Sequence, residues 1–318
     1  MHICTMFDHR YIQRGLVLYH SLMRHSPQSV LHVLCLSEKC REQLEALHLP
    51  GLQPVSLAEL EENDPALRAA KADGRSTVEY YFTLSPCLPL FLLRRHQMDV
   101  LAYVDADAAF YGAPESVLPS MQGYSVGIVG HRFAARLKHL EKYGRFNVGF
   151  QVFRNDANGI ECLEWWRARC LEWCHDRLEG DRFADQKYLD CWPERFHALE
   201  LPQKGLNVAP WNLERYTFTE EGGRILVDGE PLLYYHFHGL KPFHGSYWLS
   251  GTADYGIRLP HFLLEKLYRP YIRQLRSIPL AAEAPCKRGG VGPLRQGLRK
   301  LKWYASVLLH WRTFVILE

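Results

Sequence analysis

The chain has 318 residues, 47% of them hydrophobic and 23% charged, with a formal net charge of +3. That is an ordinary globular composition, enough for one large domain or two small ones, with no repeat or low-complexity segment. Past Cys286 there are seven Lys/Arg and one Glu, so the rest of the chain is net acidic and a general nucleic-acid-binding surface is not implied.

His2–Phe7 reads as a strand, Tyr11–His25 as an amphipathic helix and Val30–Leu36 as a second apolar strand. Glu38–Leu47 follows as a short polar helix and Gln53–Leu57 as a third strand. This βαβ rhythm predicts a largely parallel sheet with helices on its faces. Glu59–Arg75, broken by Asp64-Pro65 and Asp73-Gly74, predicts a loop or loose helices, and Thr77–Arg95 a helix that Pro86 and Pro89 kink or split. An apolar strand over Val100–Val104 leads into Asp105-Ala106-Asp107, and Tyr124–Val129 is the next strand.

Asn147–Phe153 then reads as a strand, Ala157–Glu179 as a long helix, Asp181–Asp190 as a short one and Phe196–Leu201 as a strand. Trp165, Trp166 and Trp173 fall at helical spacing among apolar residues, which favours packing over a carbohydrate-stacking surface. Asp228-Gly229, between Arg224–Val227 and Leu232–Phe237, predicts a hairpin and hence a mixed sheet. No linker precedes residue 258, so residues 1–258 are expected to form one domain and residues 259–318 a helical, basic tail. Nine cysteines lack paired spacing, and Met1-His2-Ile3-Cys4 enters a strand directly rather than a leader. Reduced thiols in a cytoplasmic protein are the expectation.

Four constellations carry chemistry. Asp105 and Asp107 sit at the carboxyl end of a strand, where an open α/β sheet binds its ligands; two carboxylates there suit a hard divalent cation, with a simple turn as the plain alternative. His236-Phe237-His238 on a strand puts two imidazoles on one face, and Lys241 follows with a charge suited to phosphate. Asp185-Gln186 opens an apolar helical turn and either points into a cleft or caps the helix. Thr5, Asp8 and Tyr11 follow the first strand, where an aromatic ring can stack on a base. No dinucleotide fingerprint or P-loop is present.

The order of these pieces resembles GT-A-fold glycosyltransferases, most of all the retaining family 8 group that includes glycogenin and bacterial lipopolysaccharide glycosyltransferases. The matching residues are Asp8 and Tyr11, Asp105-Ala106-Asp107, Asn147-Val148-Gly149, Asp185-Gln186, and His236-Phe237-His238-Gly239 with Lys241-Pro242, spanning about residues 1–245. The resemblance implies a mixed, mostly parallel sheet flanked by helices. It implies that Asp105, Asp107 and His236 (or His238 in its place) hold Mn²⁺ or Mg²⁺, and that Thr5, Asp8, Tyr11 and Ala106 line the nucleotide of a UDP-sugar. Asn147 and Asp185 would bind donor hydroxyls, Gln186 would sit near the anomeric carbon, and Lys241 would neutralise the leaving phosphate. This chain departs from the pattern in lacking an arginine within Thr77–Thr83 and in placing Phe243 where the family has tryptophan.

Pro293–Leu317 reads as a basic amphipathic helix with Trp303, Tyr304 and Trp311, too interrupted to span a bilayer. It suits the anionic inner face of a cell membrane, with a lipid-linked glycan as acceptor; packing on the domain or pairing with a second copy is the alternative. The rival functions are a metal-dependent nucleotidyltransferase or phosphohydrolase, and a glycan-binding protein with a degenerate site.

Overall fold

The opening alternation of apolar runs and amphipathic stretches becomes three parallel strands: β1 (His2–Phe7), β2 (Val30–Cys35) and β3 (Leu52–Ser56). Helices α1 (Ile12–His25) and α2 (Glu38–Glu45) connect them. The computed structural model describes residues 1–244, 246–279 and 314–316. The polar stretch after β3 forms α3 (Leu57–Asn63) and α4 (Pro65–Ala72). The proline-bearing run splits as expected into α5 (Thr77–Leu84) and α6 (Cys87–Arg95). Ser76 and Glu79 close a reciprocal cap at the start of α5, satisfying two otherwise orphaned backbone donors.

The second half of the sheet is mixed. β4 (Val100–Val104) lies parallel to β1, and a short β5 (Ala108–Phe110) follows the Asp105–Asp107 turn. β6 (Val126–Gly130) and β7 (Phe146–Arg154) are antiparallel to each other, and β7 is antiparallel to β4. With β8 (Leu199–Glu200) the seven-stranded order is β3-β2-β1-β4-β7-β6-β8, the mixed, mostly parallel, helix-flanked α/β sheet that was expected. On one face α5, α6 and α7 (Ala157–Glu172), with α8 (Trp192–Phe196), bury Leu84, Leu88, Tyr103, Phe153, Trp166 and Trp192 in a single cluster. Burial of Trp166 and Trp173 agrees with the packing role expected of them.

Several expected elements end differently. Helix α7 stops at Glu172 rather than Glu179, and Trp173 is extended. The buried Arg75 guanidinium donates to the carbonyls of Cys170 (2.7 Å) and Leu171, meeting the last turn's unpaired acceptors and closing the helix there. In place of a helix over Asp181–Asp190, only a 3₁₀ turn at Lys187–Cys191 forms. The Asp228-Gly229 turn is present, with both residues at positive φ (48° and 83°), but its strands are β10 (Arg224–Val227) and β11 (Glu230–Pro231). With β9 (Phe218–Glu221) these make a separate small sheet. Tyr234–His236, β12, is not the hairpin arm; it pairs antiparallel with β5.

The chain divides into two compact units, Met1–His236 and a second beginning at Phe237, an earlier division than residue 258. The second unit contains β13 (Lys241–His244), β14 (Tyr247–Leu249) and helices α9 (His261–Leu263) and α10 (Arg269–Ser277), the last two separated by a π-helical turn. Tyr271 of α10 stacks on Phe237 with ring centroids 3.7 Å apart. The helix expected over Pro293–Leu317 lies outside the described residues except at Phe314–Ile316, which form a strand, β15, antiparallel to β14. Among the described residues no helix is long and apolar enough to cross a membrane, and all eight described cysteines are free thiols.

Candidate active site

Just past the end of β4 at Val104, the Asp105 N–H still donates to the carbonyl of Gly149 on the paired strand β7 (3.2 Å). Its own carbonyl accepts from the Tyr234 hydroxyl (3.1 Å). Asp105 is thereby clamped between β7 and β12, and the chain turns through Ala106 to Asp107. β12 then runs beside β5 with His236 opposite Ala108, which brings the imidazole to the turn. His236 Nε2 lies 3.0 Å from Asp107 Oδ1 and 3.8 Å from Asp105 Oδ2. The structure thus gathers three of the expected metal ligands.

Their electrostatics explain one another. Burial disfavours charge on His236, but the carboxylates of Asp107 and Asp105 outweigh it and the imidazole pKa moves up. Burial pushes the Asp105 carboxyl up to about 6, with Asp107 adding to the rise and His236 and Tyr103 opposing it. A proton on His236 supplies the positive charge that two neighbouring carboxylates need. Gly149 makes room: a Cβ there would lie 2.9 Å from His236 Nδ1 and 3.0 Å from Asp105 Oδ2. That is the physical reason for glycine two residues after Asn147.

The residues expected on the base side lie on β1 and between it and α1. Tyr11, just before α1, is 45% exposed; burial raises its hydroxyl pKa first, and the charges of Asp107, Asp8 and Asp105 add to it. Arg14 lies over its ring, 5.0 Å from the centroid. Asp8 is buried and held by the Nε (2.8 Å) and terminal nitrogen of Arg10. Thr5 is fully buried in β1, its hydroxyl without a hydrogen-bond partner.

Asp185 and Gln186 occupy the other flank. Asp185 is neither open to solvent nor a helix cap: it is 4% exposed, and the Trp166 indole donates to its carbonyl (2.8 Å). Burial pushes its carboxyl up to about 7, Asp105 raising it further and Ser85 opposing. Gln186 Oε1 accepts from Asn147 Nδ2 (3.2 Å), while its Nε2 donates to the Tyr143 carbonyl (3.1 Å). Asn147 Nδ2 also meets His131 Nε2 (3.3 Å), and its Oδ1 accepts from Gly149 N–H (2.9 Å) and Asn207 Nδ2 (3.3 Å). Both donors and both lone pairs of Asn147 are therefore engaged within the protein, which disagrees with the expectation that it grips a sugar hydroxyl.

Asn207, Asn212, His131 and Trp211 were not anticipated from the sequence. Asn207, Trp211 and Asn212 stand in an apolar turn, LNVAPWN, with no recognisable spacing signal, and His131 directly follows β6. His238 and Lys241 lie in the second unit, both exposed, Lys241 at the start of β13.

No family model matches the chain. Two uncharacterized proteins of Bacillus subtilis (strain 168) are similar to it. YfnD is 29% identical over 285 residues, 86% of this chain and 88% of YfnD. YfnF is 32% identical over 248 residues, 75% of this chain and 81% of YfnF. Among solved structures, the galactosyltransferase LgtC in complex with donor and acceptor sugar analogues superposes with a TM-score of 0.56 at 15% identity, covering 90% of this chain and 98% of LgtC. The shared fold is the GT-A fold.

Proposed function

This chain belongs to the family of Bacillus subtilis YfnF and has the GT-A fold; from that premise we propose that it is a metal-dependent glycosyltransferase, moving a sugar from a UDP-sugar to a saccharide or lipid-linked glycan with retention. The observation that carries the reading is the convergence of Asp105, Asp107 and His236 at the carboxyl end of β4, where an α/β sheet binds its ligand. LgtC, which shares the fold, was crystallised with donor and acceptor sugar analogues, and this supports the same substrate class here.

The donor set suits Mn²⁺: two carboxylate groups, each with an oxygen within 4 Å of the His236 imidazole, beside a glycine whose missing Cβ leaves the space clear. Asp105, Asp107 and His236 would hold the ion, which when bound supplies positive charge to the leaving diphosphate. Tyr11, partly exposed, would stack on the base, and Asp8, held by Arg10, would accept hydrogen bonds from it. Thr5 offers an unpaired hydroxyl on β1, the strand that leads to Asp8. Gln186 keeps one amide hydrogen and one lone pair for the sugar at the anomeric side, and Asp185 lies beside it. For Lys241 the support is the resemblance alone, and for an anionic membrane surface it is the charge past Cys286.

A thermal-shift panel of UDP- and GDP-sugars, with and without Mn²⁺, tests the reading. A UDP-sugar at about 100 times its Kd should add about 2.7 kcal/mol, and only with the metal. No metal-dependent stabilisation by any nucleotide-sugar would contradict it.

A further inference from the structure

Asn207 sits where both flanks of the site are tied together. It is fully buried, at φ +58°, a conformation asparagine tolerates better than most residues. Its Nδ2 donates to Asn147 Oδ1 (3.3 Å). That same oxygen accepts from Gly149 N–H, and the Asn147 amide hydrogens hold Gln186 and His131. An amide with all four positions taken has one orientation, and so dictates which end of Gln186 faces which way.

The segment carrying Asn207 also seats His236. Val208 N–H donates to the Tyr234 carbonyl (3.2 Å), and His236 N–H donates to the Val208 carbonyl (2.8 Å), so residues 207 and 208 run alongside β12. Trp211 presents its indole edge-on to the His236 ring, centroids 5.2 Å apart. Asn212 closes the turn: its Nδ2 donates to the Asn207 carbonyl (3.1 Å) and to the His131 carbonyl (3.0 Å), and its Oδ1 accepts from Ala209 N–H (3.0 Å). One buried turn therefore backs the imidazole on one side and, through Asn147, the glutamine on the other.

We propose that Asn207 is a positioning residue, which through the saturated Asn147 amide fixes the Gln186 side chain relative to His236. This rests on the transferase reading for its kinetic consequence, and on the geometry alone for its structural one. Asn147 belongs to this frame and not to the sugar-binding surface.

The test uses the full chain and two substitutions that keep the left-handed backbone. Asn207→Gly removes the donor, and Asn207→Asp sets a carboxylate oxygen against Asn147 Oδ1. With UDP-glucose and UDP-galactose as donors, both variants should lower kcat by about 10- to 100-fold while KM stays within about threefold. Either change combined with Gln186→Ala should cost no more than Gln186→Ala alone. A folded variant with unchanged kcat, or losses that multiply with that of Gln186→Ala, would overturn the proposal. If neither donor is turned over by the wild type, side-chain amide exchange decides it independently. The Asn147 amide hydrogens, assigned by their disappearance in Asn147→Ser, should exchange slowly in the wild type and rapidly in Asn207→Gly. Rapid exchange in the wild type would sink the proposal whatever the substrate.

Discussion

Strands β1, β2 and β3 follow one another along the chain, run parallel, and bury side chains that are almost all apolar. The other half of the sheet is put together from distant pieces. Tyr234 reaches the Asp105 carbonyl across 129 residues, and the side chains enclosed there include carboxyls and an imidazole. The contrast separates two jobs. The parallel half gains stability from burial, whereas the site half encloses carboxyls whose raised pKa values mark the cost of burying their charge. Substitutions should therefore damage different properties in the two halves.

The largest divergence is expected from Asp107→Ala. Removing one of the clustered carboxylates should reduce turnover by about 10³-fold, since charge stabilisation of this kind is usually the dominant catalytic contribution. The melting temperature should change little, because relief of the Asp105–Asp107 repulsion offsets the lost His236–Asp107 contact. In the parallel half Leu34→Ala, in a fully buried strand position, should cost about 2–5 kcal/mol in urea unfolding while the surviving folded protein keeps its metal response. If that variant lost metal response at full folding, the separation between the halves would fail.

Gly149→Ala should show both kinds of damage. The new Cβ would press on Asn147 Oδ1, His236 Nδ1 and Asp105 Oδ2, costing about 1–3 kcal/mol of stability and abolishing Mn²⁺-dependent nucleotide binding. A smaller effect is expected from Asp185→Asn, read as unfolding free energy against pH. Because the folded carboxyl titrates near 7 and not 3.8, the fold favours its protonated form. The stability this gives is complete below about pH 4 and lost as pH rises through 7. The asparagine variant should thus gain about 1–3 kcal/mol over wild type at pH 8 and nothing at pH 4. Equal differences at both pH values would remove the buried-carboxyl account.

How far each half could be read in advance follows from the same contrast. In β1 to β3 the helix and strand periods alternate locally, so the elements and their parallel order were legible. Asp105, Asp107 and His236 were legible as residue types that hold metals, and the resemblance supplied their pairing. What placed His236 at the turn is the β5–β12 register, a long-range pairing with no local signal. The end of α7 was missed because Arg75, about a hundred residues earlier, caps it. The hairpin turn was visible in Asp228-Gly229, but its strand partner was not, since Leu232–Phe237 is apolar enough to suit either neighbour. Asn207 escaped notice because a buried amide is defined by its partners and not by its sequence surroundings.

The central claim is that Asp105, Asp107 and His236 form one metal site facing a nucleotide diphosphate. Titration of Mn²⁺ into the full chain with UDP present, following the spin signal of the free ion, addresses it directly. The account predicts one ion bound per wild-type chain, and affinity weakened by about 100-fold or more in Asp107→Ala and Gly149→Ala. Equal binding by wild type and both variants would contradict it.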